Sequence, residues 1–126
     1  MTKANFLVNT NGTVFDAKTN LIWQRDVTDH DEFDLEDAKK YAANLRLGGF
    51  SNWRVPTKTE LESIVASAKF NPAIDIDAFP NTPSEWFWTV SPYADNSDNA
   101  WVVHFGHGNG HYDDDYNILR VRCVRG

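Results

Sequence analysis

The apolar positions change period along the chain, and each change marks an element. Near the start, Phe6-Leu7-Val8, Val14-Phe15 and Leu21-Ile22-Trp23 are short apolar clusters separated by Asn11-Gly12 and Thr19-Asn20. That pattern predicts short strands joined by tight turns, because glycine accepts the positive φ such a turn requires. Helical spacing follows in Leu35, Ala38, Tyr41, Ala42 and Leu45, with Asp34 as the cap and Gly48-Gly49 as the stop. A second helix opens at Thr57-Lys58-Thr59-Glu60, where Thr and Glu can satisfy each other's orphan backbone N–H groups. Its stripe is Leu61, Ile64, Val65 and Ala68, and Asn71-Pro72 ends it.

Residues 71–84 carry Pro72, Pro80 and Pro83 and read as an irregular loop. Beyond them the period becomes two: Trp86 to Val90, Ala100 to Phe105 and Leu119 to Val124 read as strands. In the last of these, Leu119, Val121 and Cys123 alternate with Arg120 and Arg122, which predicts one buried and one wet face. Strands, two helices, then strands again argue for a single α+β domain over residues 1–126, with the helices on mostly antiparallel, twisted sheets.

Composition narrows the function. The chain has 126 residues, enough to bury a core without disulfides, and a single cysteine excludes a disulfide within it. Aromatic residues make up 13%, including 5 Trp. No apolar run approaches the ~20 residues of a membrane span. No charged-then-apolar leader follows Met1, so a secretion signal is absent or has been removed, and with the lone cysteine this keeps a cytoplasmic location open. The net charge is −6, and residues 70–119 contain no Lys or Arg. That stretch holds Asp75, Asp77, Glu85, Asp95, Asp98, Asp113, Asp114 and Asp115, a composition that repels polyanions and argues against nucleic acid as a partner.

Three sets of residues can carry chemistry. His104, His107 and His111, followed by Asp113 to Asp115, suit zinc, nickel or copper, or form a polar hairpin with Gly106, Gly108 and Gly110. Asp95, Asn96, Asp98 and Asn99 offer hard oxygen ligands for calcium, or cap their own turns; Asp95, Asp98 and Asn99 are the candidate ligands. Among the aromatics, Trp23, Trp53, Phe87 and Trp101 are assigned to packing. Tyr93, Asn96, His107, Asn109, His111, Tyr112, Asp114 and Tyr116 lie in Gly- and Asp-rich context and are the candidate ligand-binding surface. With no nucleophile elbow or phosphate-binding glycine loop, and with Cys123 in an alternating apolar row, the expectation is a non-enzyme.

Several pieces, in one order, carry a resemblance: Gly12-Thr13-Val14, Leu21-Ile22-Trp23-Gln24-Arg25, the run from Leu47 to Pro56, Asn71-Pro72-Ala73-Ile74-Asp75, Phe79-Pro80-Asn81-Thr82-Pro83, Trp86-Phe87-Trp88, Ser91-Pro92-Tyr93 and Val121-Arg122-Cys123-Val124-Arg125. Together they resemble the Lcl C-terminal domain family, named for the end domain of a bacterial collagen-like adhesin. The resemblance implies a C-type-lectin-like fold whose chain ends pair as neighbouring strands and whose long loops form a ligand face. It also implies an exported or cell-surface protein, glycan binding in some members, and a homo-oligomer like the adhesin's trimer. Two features depart from it. Relatives often carry a cysteine in the segment matching Lys40-Tyr41-Ala42-Ala43, and here there is none. The cation-free stretch also disfavours the sulfated polysaccharides that the adhesin resembles a binder of.

The sequence therefore points to a non-catalytic ligand-binding module. Its expected face runs from about Ser91 to Asn117 and recognises a neutral glycan or a protein surface, with calcium as the candidate cofactor. The alternative is a cytosolic partner-blocking protein, of immunity or antitoxin type, that covers a basic protein target.

Overall fold

A computed structural model describes residues 6–27, 32–94 and 96–126. Three N-terminal strands, β1 (Phe6–Val8), β2 (Thr13–Asp16) and β3 (Leu21–Gln24), are followed by helices α1 (Leu35–Asn44) and α2 (Lys58–Glu62). Strands β4 (Trp86–Tyr93), β5 (Asn96–His104), β6 (Gly110–Asp114) and β7 (Val124–Arg125) complete the chain. The described residues form two antiparallel sheets, of order β1-β2-β3-β7 and β4-β5-β6, which with the helices make the α+β domain that the pattern predicts.

Most local signals act where the sequence placed them, although α1 ends at Asn44 with Leu45 already extended, before the Gly48-Gly49 stop. Gly12 takes a φ of 86° in the β1–β2 turn. Asp34 accepts the Asp37 N–H at 2.8 Å, and α1 buries Leu35, Ala38 and Ala42. At α2 the reciprocal cap is complete: Thr57 Oγ1 accepts the Glu60 N–H at 3.2 Å, and the Thr57 N–H donates to Glu60 Oε1 at 2.9 Å. The helix is nevertheless much shorter than its stripe. After Glu62 the chain turns, and the Ala66 N–H pairs with the Ala73 carbonyl, leaving Ile64 buried but Ala68 exposed.

The closing segment corrects the expectation of one wet face. Only Val124–Arg125 is regular strand, and Arg122 is 0% exposed. Its guanidinium donates to the carbonyl oxygens of Gln24 (2.7 Å) and Arg25 (2.6 Å) and to Thr82 Oγ1 (2.8 Å), and it lies 4.8 Å from the centre of the Phe79 ring. Alternation survives, but both sides are covered: Val121 and Cys123 enter one core while Arg122 enters a polar slot beside the other. Burial pulls the Arg122 pKa down to about 9.

Strand β4 separates the two cores. Phe87 packs edge-on to Phe105, with ring centres 5.1 Å apart, in a core with Val14, Trp23, Leu61, Ile74 and Phe79. Trp88 enters the second core with Leu35, Ala38, Trp53, Val102 and Cys123, and its indole N–H donates to the Phe33 carbonyl at 2.7 Å. Burying one such ring contributes about 2–3 kcal/mol. No helix among the described residues is long and apolar enough to cross a membrane.

Candidate functional site

The expected loop face from Ser91 to Asn117 is mostly sheet. Gly110–Asp114, read as a polar hairpin loop, is strand β6, in register with β5 from Val103↔Gly110 to Asn99↔Asp114. Gly and Asp are poor strand formers, so propensity misses it; the ladder to β5 overrides the composition. Cross-strand register assigns the faces. Trp86, His104 and His111 share one face with Trp88 and Val102, while Phe87 and Val103 share the other with Trp101 and Tyr112. Helix α1 packs over the Trp88 side and α2 over the Phe87 side, so the rings farther along each face remain accessible.

On the α2 side lies a triad of rings. Tyr93 stacks on Tyr112 at 4.0 Å with planes 19° apart, and meets Trp101 edge-on at 5.1 Å. Tyr112 is 41% exposed, with Tyr93 and Trp101 half-buried beneath it. Lys58 Nζ sits 4.8 Å from the Trp101 ring centre and pairs with Glu62 at 2.9 Å. Trp101 is thus half-buried and partly accessible, outside both core clusters, where the sequence assigned it to packing. Its run, Ala100 to Phe105, is apolar at almost every position, so alternation alone could not say which side meets water.

A different group forms on the opposite face. Trp86 contacts His104 at 4.7 Å, His107 at 6.2 Å and His111 at 6.1 Å between ring centres. The Gly106 N–H donates to His104 Nδ1 at 2.9 Å and the Asn109 N–H to His107 Nδ1 at 3.2 Å, which makes both nitrogens acceptors. Burial, followed by the neighbouring His107, lowers the His104 pKa below the usual imidazole value. Among the described residues, no group of three or more His, Cys, Asp or Glu converges to hold a metal ion.

The remaining candidates sit at the far end of the sheet. Asp113 accepts from the Asp114 N–H (2.7 Å) and from the Asn117 amide, and Asp114 accepts from the Tyr116 N–H at 3.1 Å. Tyr116 is 76% exposed and lines a cleft of about 180 Å³ with Asp34, Glu36, Lys39 and Asp115. The Asp115 backbone ties three elements together, donating to the Asp98 carbonyl and accepting from the Leu35 N–H, and burial raises its carboxyl pKa. Of the proposed calcium ligands, Asp98 is exposed, Asn99 is half-buried, and Asp95 lies outside the described residues. Asn96 stands in β5 opposite Tyr93, and Asn109 is exposed in the β5–β6 turn.

The structure therefore joins Tyr93 with Tyr112 on one face and His107 with His111 on the other, and leaves Asp114 and Tyr116 at a third place. Curated proteins offer no match to the chain. The family comparison does: the Lcl C-terminal domain matches residues 12–125, nearly the whole sequence, and the chain belongs to that family.

Proposed function

We propose that the protein is a non-catalytic recognition module that holds a neutral glycan or a protein surface on the Tyr93–Trp101–Tyr112 rings. The observation that carries this reading is the partly accessible triad itself: Tyr93 stacked on Tyr112 and edge-on to Trp101 on one face of the three-stranded sheet, with the Lys58–Glu62 pair alongside. Such rings present broad apolar faces at little entropic cost, and the adjacent charged and amide groups can fix orientation. The absence of cations from residues 70–119 favours uncharged or basic ligands over sulfated ones. Membership of an adhesin-derived family supports a binding role. The fold reading that accompanies it is C-type-lectin-like, supported by the pairing of C-terminal β7 with N-terminal β3.

A glycan array beside a pull-down from lysate, each run with wild-type protein and Trp101→Ala, tests the proposal. Loss of the Trp101 ring is expected to weaken binding about tenfold or more. Retained binding by both Trp101→Ala and Tyr93→Ala would overturn it. Binding should persist in a chelator; a strict calcium requirement would move the site to Asp98 and Asn99 at the start of β5.

A further inference from the structure

The two edges of the β4-β5-β6 sheet are treated differently. On β4, the outward backbone groups are taken: the Trp88 N–H donates to the Arg120 carbonyl, the Arg120 N–H to the Trp86 carbonyl, and the Val90 N–H to the Pro56 carbonyl. On β6 the accounting comes out otherwise. The pairs His104–Asn109 and Asp98–Asp115 are hydrogen-bonded. Register then places Val102–His111 and Ala100–Asp113 in the same bonded class. Gly110, Tyr112 and Asp114 belong to the other class, and their N–H and C=O groups point away from β5. Asp114 is satisfied locally, its N–H by Asp113 Oδ1 and its carbonyl by the Asn117 N–H. Gly110 and Tyr112 have no outward backbone partner among the described residues.

We propose that this open edge of β6 takes an extended segment of a protein partner carrying lysine or arginine, which adds as a further strand at Gly110 and Tyr112. The proposal rests on the reading of this sheet as a recognition surface and names the partner class. Alternate side chains of the added strand fall on the Tyr112 side, beside the ring triad, and on the His111 side. Charge selects the occupant. Asp113 and Asp114 stand on the edge strand, and Glu62 Oε2 lies 3.5 Å from where a side chain on Gly110 would begin. Lys58, beside Gly110, is paired to Glu62. Two copies meeting edge to edge would join acid-bearing strands from a stretch without Lys or Arg, which disfavours self-pairing.

The test uses the whole chain and three synthetic peptides of about eight residues: alternating Lys-Val, the same peptide N-methylated at alternate amides, and alternating Glu-Val. The Lys-Val peptide is expected to bind, with amide hydrogen exchange slowed at Gly110 and Tyr112, and the other two to bind at least about tenfold more weakly. Tyr112→Ala and Tyr112→Pro both lose the ring, but only proline also removes the outward N–H, which β5 does not use. The proline variant should therefore bind about tenfold more weakly than the alanine variant. The exchange measurement on wild type needs no variant to fold. Equal binding by the two variants, protection elsewhere than Gly110 and Tyr112, or no saturable binding of the Lys-Val peptide would each overturn the edge proposal. If any of these occurs while a ligand still depends on Trp101, only the strand-addition inference falls. If Trp101→Ala also changes nothing, the recognition reading beneath it falls as well.

Discussion

His104 and His107 stack face to face, with ring centres 4.5 Å apart and planes only 9° from parallel. Each ring accepts a backbone N–H at Nδ1, and for His104 protonating that nitrogen costs the hydrogen bond from Gly106. The His104 pKa is lowered in the folded protein, chiefly by burial and next by His107, with Glu85 opposing. A base with a lowered folded pKa contributes stability that is complete above its unfolded pKa, about 6.5, and is lost as pH falls below it. Thermal midpoints should therefore drop between pH 7.5 and 5.5, and His104→Phe should flatten that slope. An NMR titration that put His104 at or above 6.5 would contradict the assignment.

Gly106 offers a second handle on the same turn. A Cβ there would sit 2.6 Å from His104 Cε1 and 2.8 Å from Nδ1, so Gly106→Ala must displace the ring. The expected result is loss of the His104–His107 stack, seen as altered imidazole shifts, while ligand binding at Trp101 on the other face persists.

Arg122 is anchored by three neutral acceptors at full burial. Replacing it with Met leaves those oxygens unpaired, and we expect a loss of about 3 kcal/mol in urea unfolding. Arg122→Lys should recover little, because an ammonium cannot span the planar fork that reaches Gln24, Arg25 and Thr82. A loss near zero for the Met variant would mean that desolvation of the charge cancels its bonds.

Glu60 closes the α2 cap and also meets Arg54 through two contacts of 2.7 and 2.8 Å. The Arg54 hydrogen bonds are the main reason its carboxyl pKa is lowered, with burial opposing. Its stabilising contribution is present above the unfolded carboxyl pKa and fades as pH falls through the folded one. Glu60→Ala should cost about 1–2 kcal/mol at pH 7 and less at pH 3, measured by denaturant midpoints.

Cys123 is fully buried, and its thiol is pushed up to about 12 by burial. Modification by an aromatic disulfide reagent at pH 8 should therefore track global opening, accelerating with urea in step with the loss of tryptophan fluorescence. Rapid labelling in native buffer would show a local route to the second core.

Capping residues and tight turns were the most legible part of the sequence, because their chemistry is local: Asp34, Thr57 with Glu60, and Asn11-Gly12 act where spacing puts them. Elements decided by distant partners were not. Strand β6 exists through its ladder to β5, and α2 stops short because Ala66 pairs with Ala73. Arg122 reads as a surface residue until Gln24, Arg25 and Thr82 are seen to surround it. For the candidate site, the sequence picked out Tyr93 and Tyr112 but not Trp101 between them, since a doubly apolar strand carries no mark of its wet side. It also grouped His107 and His111 with those tyrosines, although the pleat puts them on opposite faces.

Strand β7 pairs with β3, and Arg122 clasps the backbone just after β3. A ribosome delivers the N-terminal strands long before their last neighbour emerges. The first sheet can therefore be completed only once residues 121–125 have emerged, so its folding is expected to wait on, and be slowed by, this long-range closure.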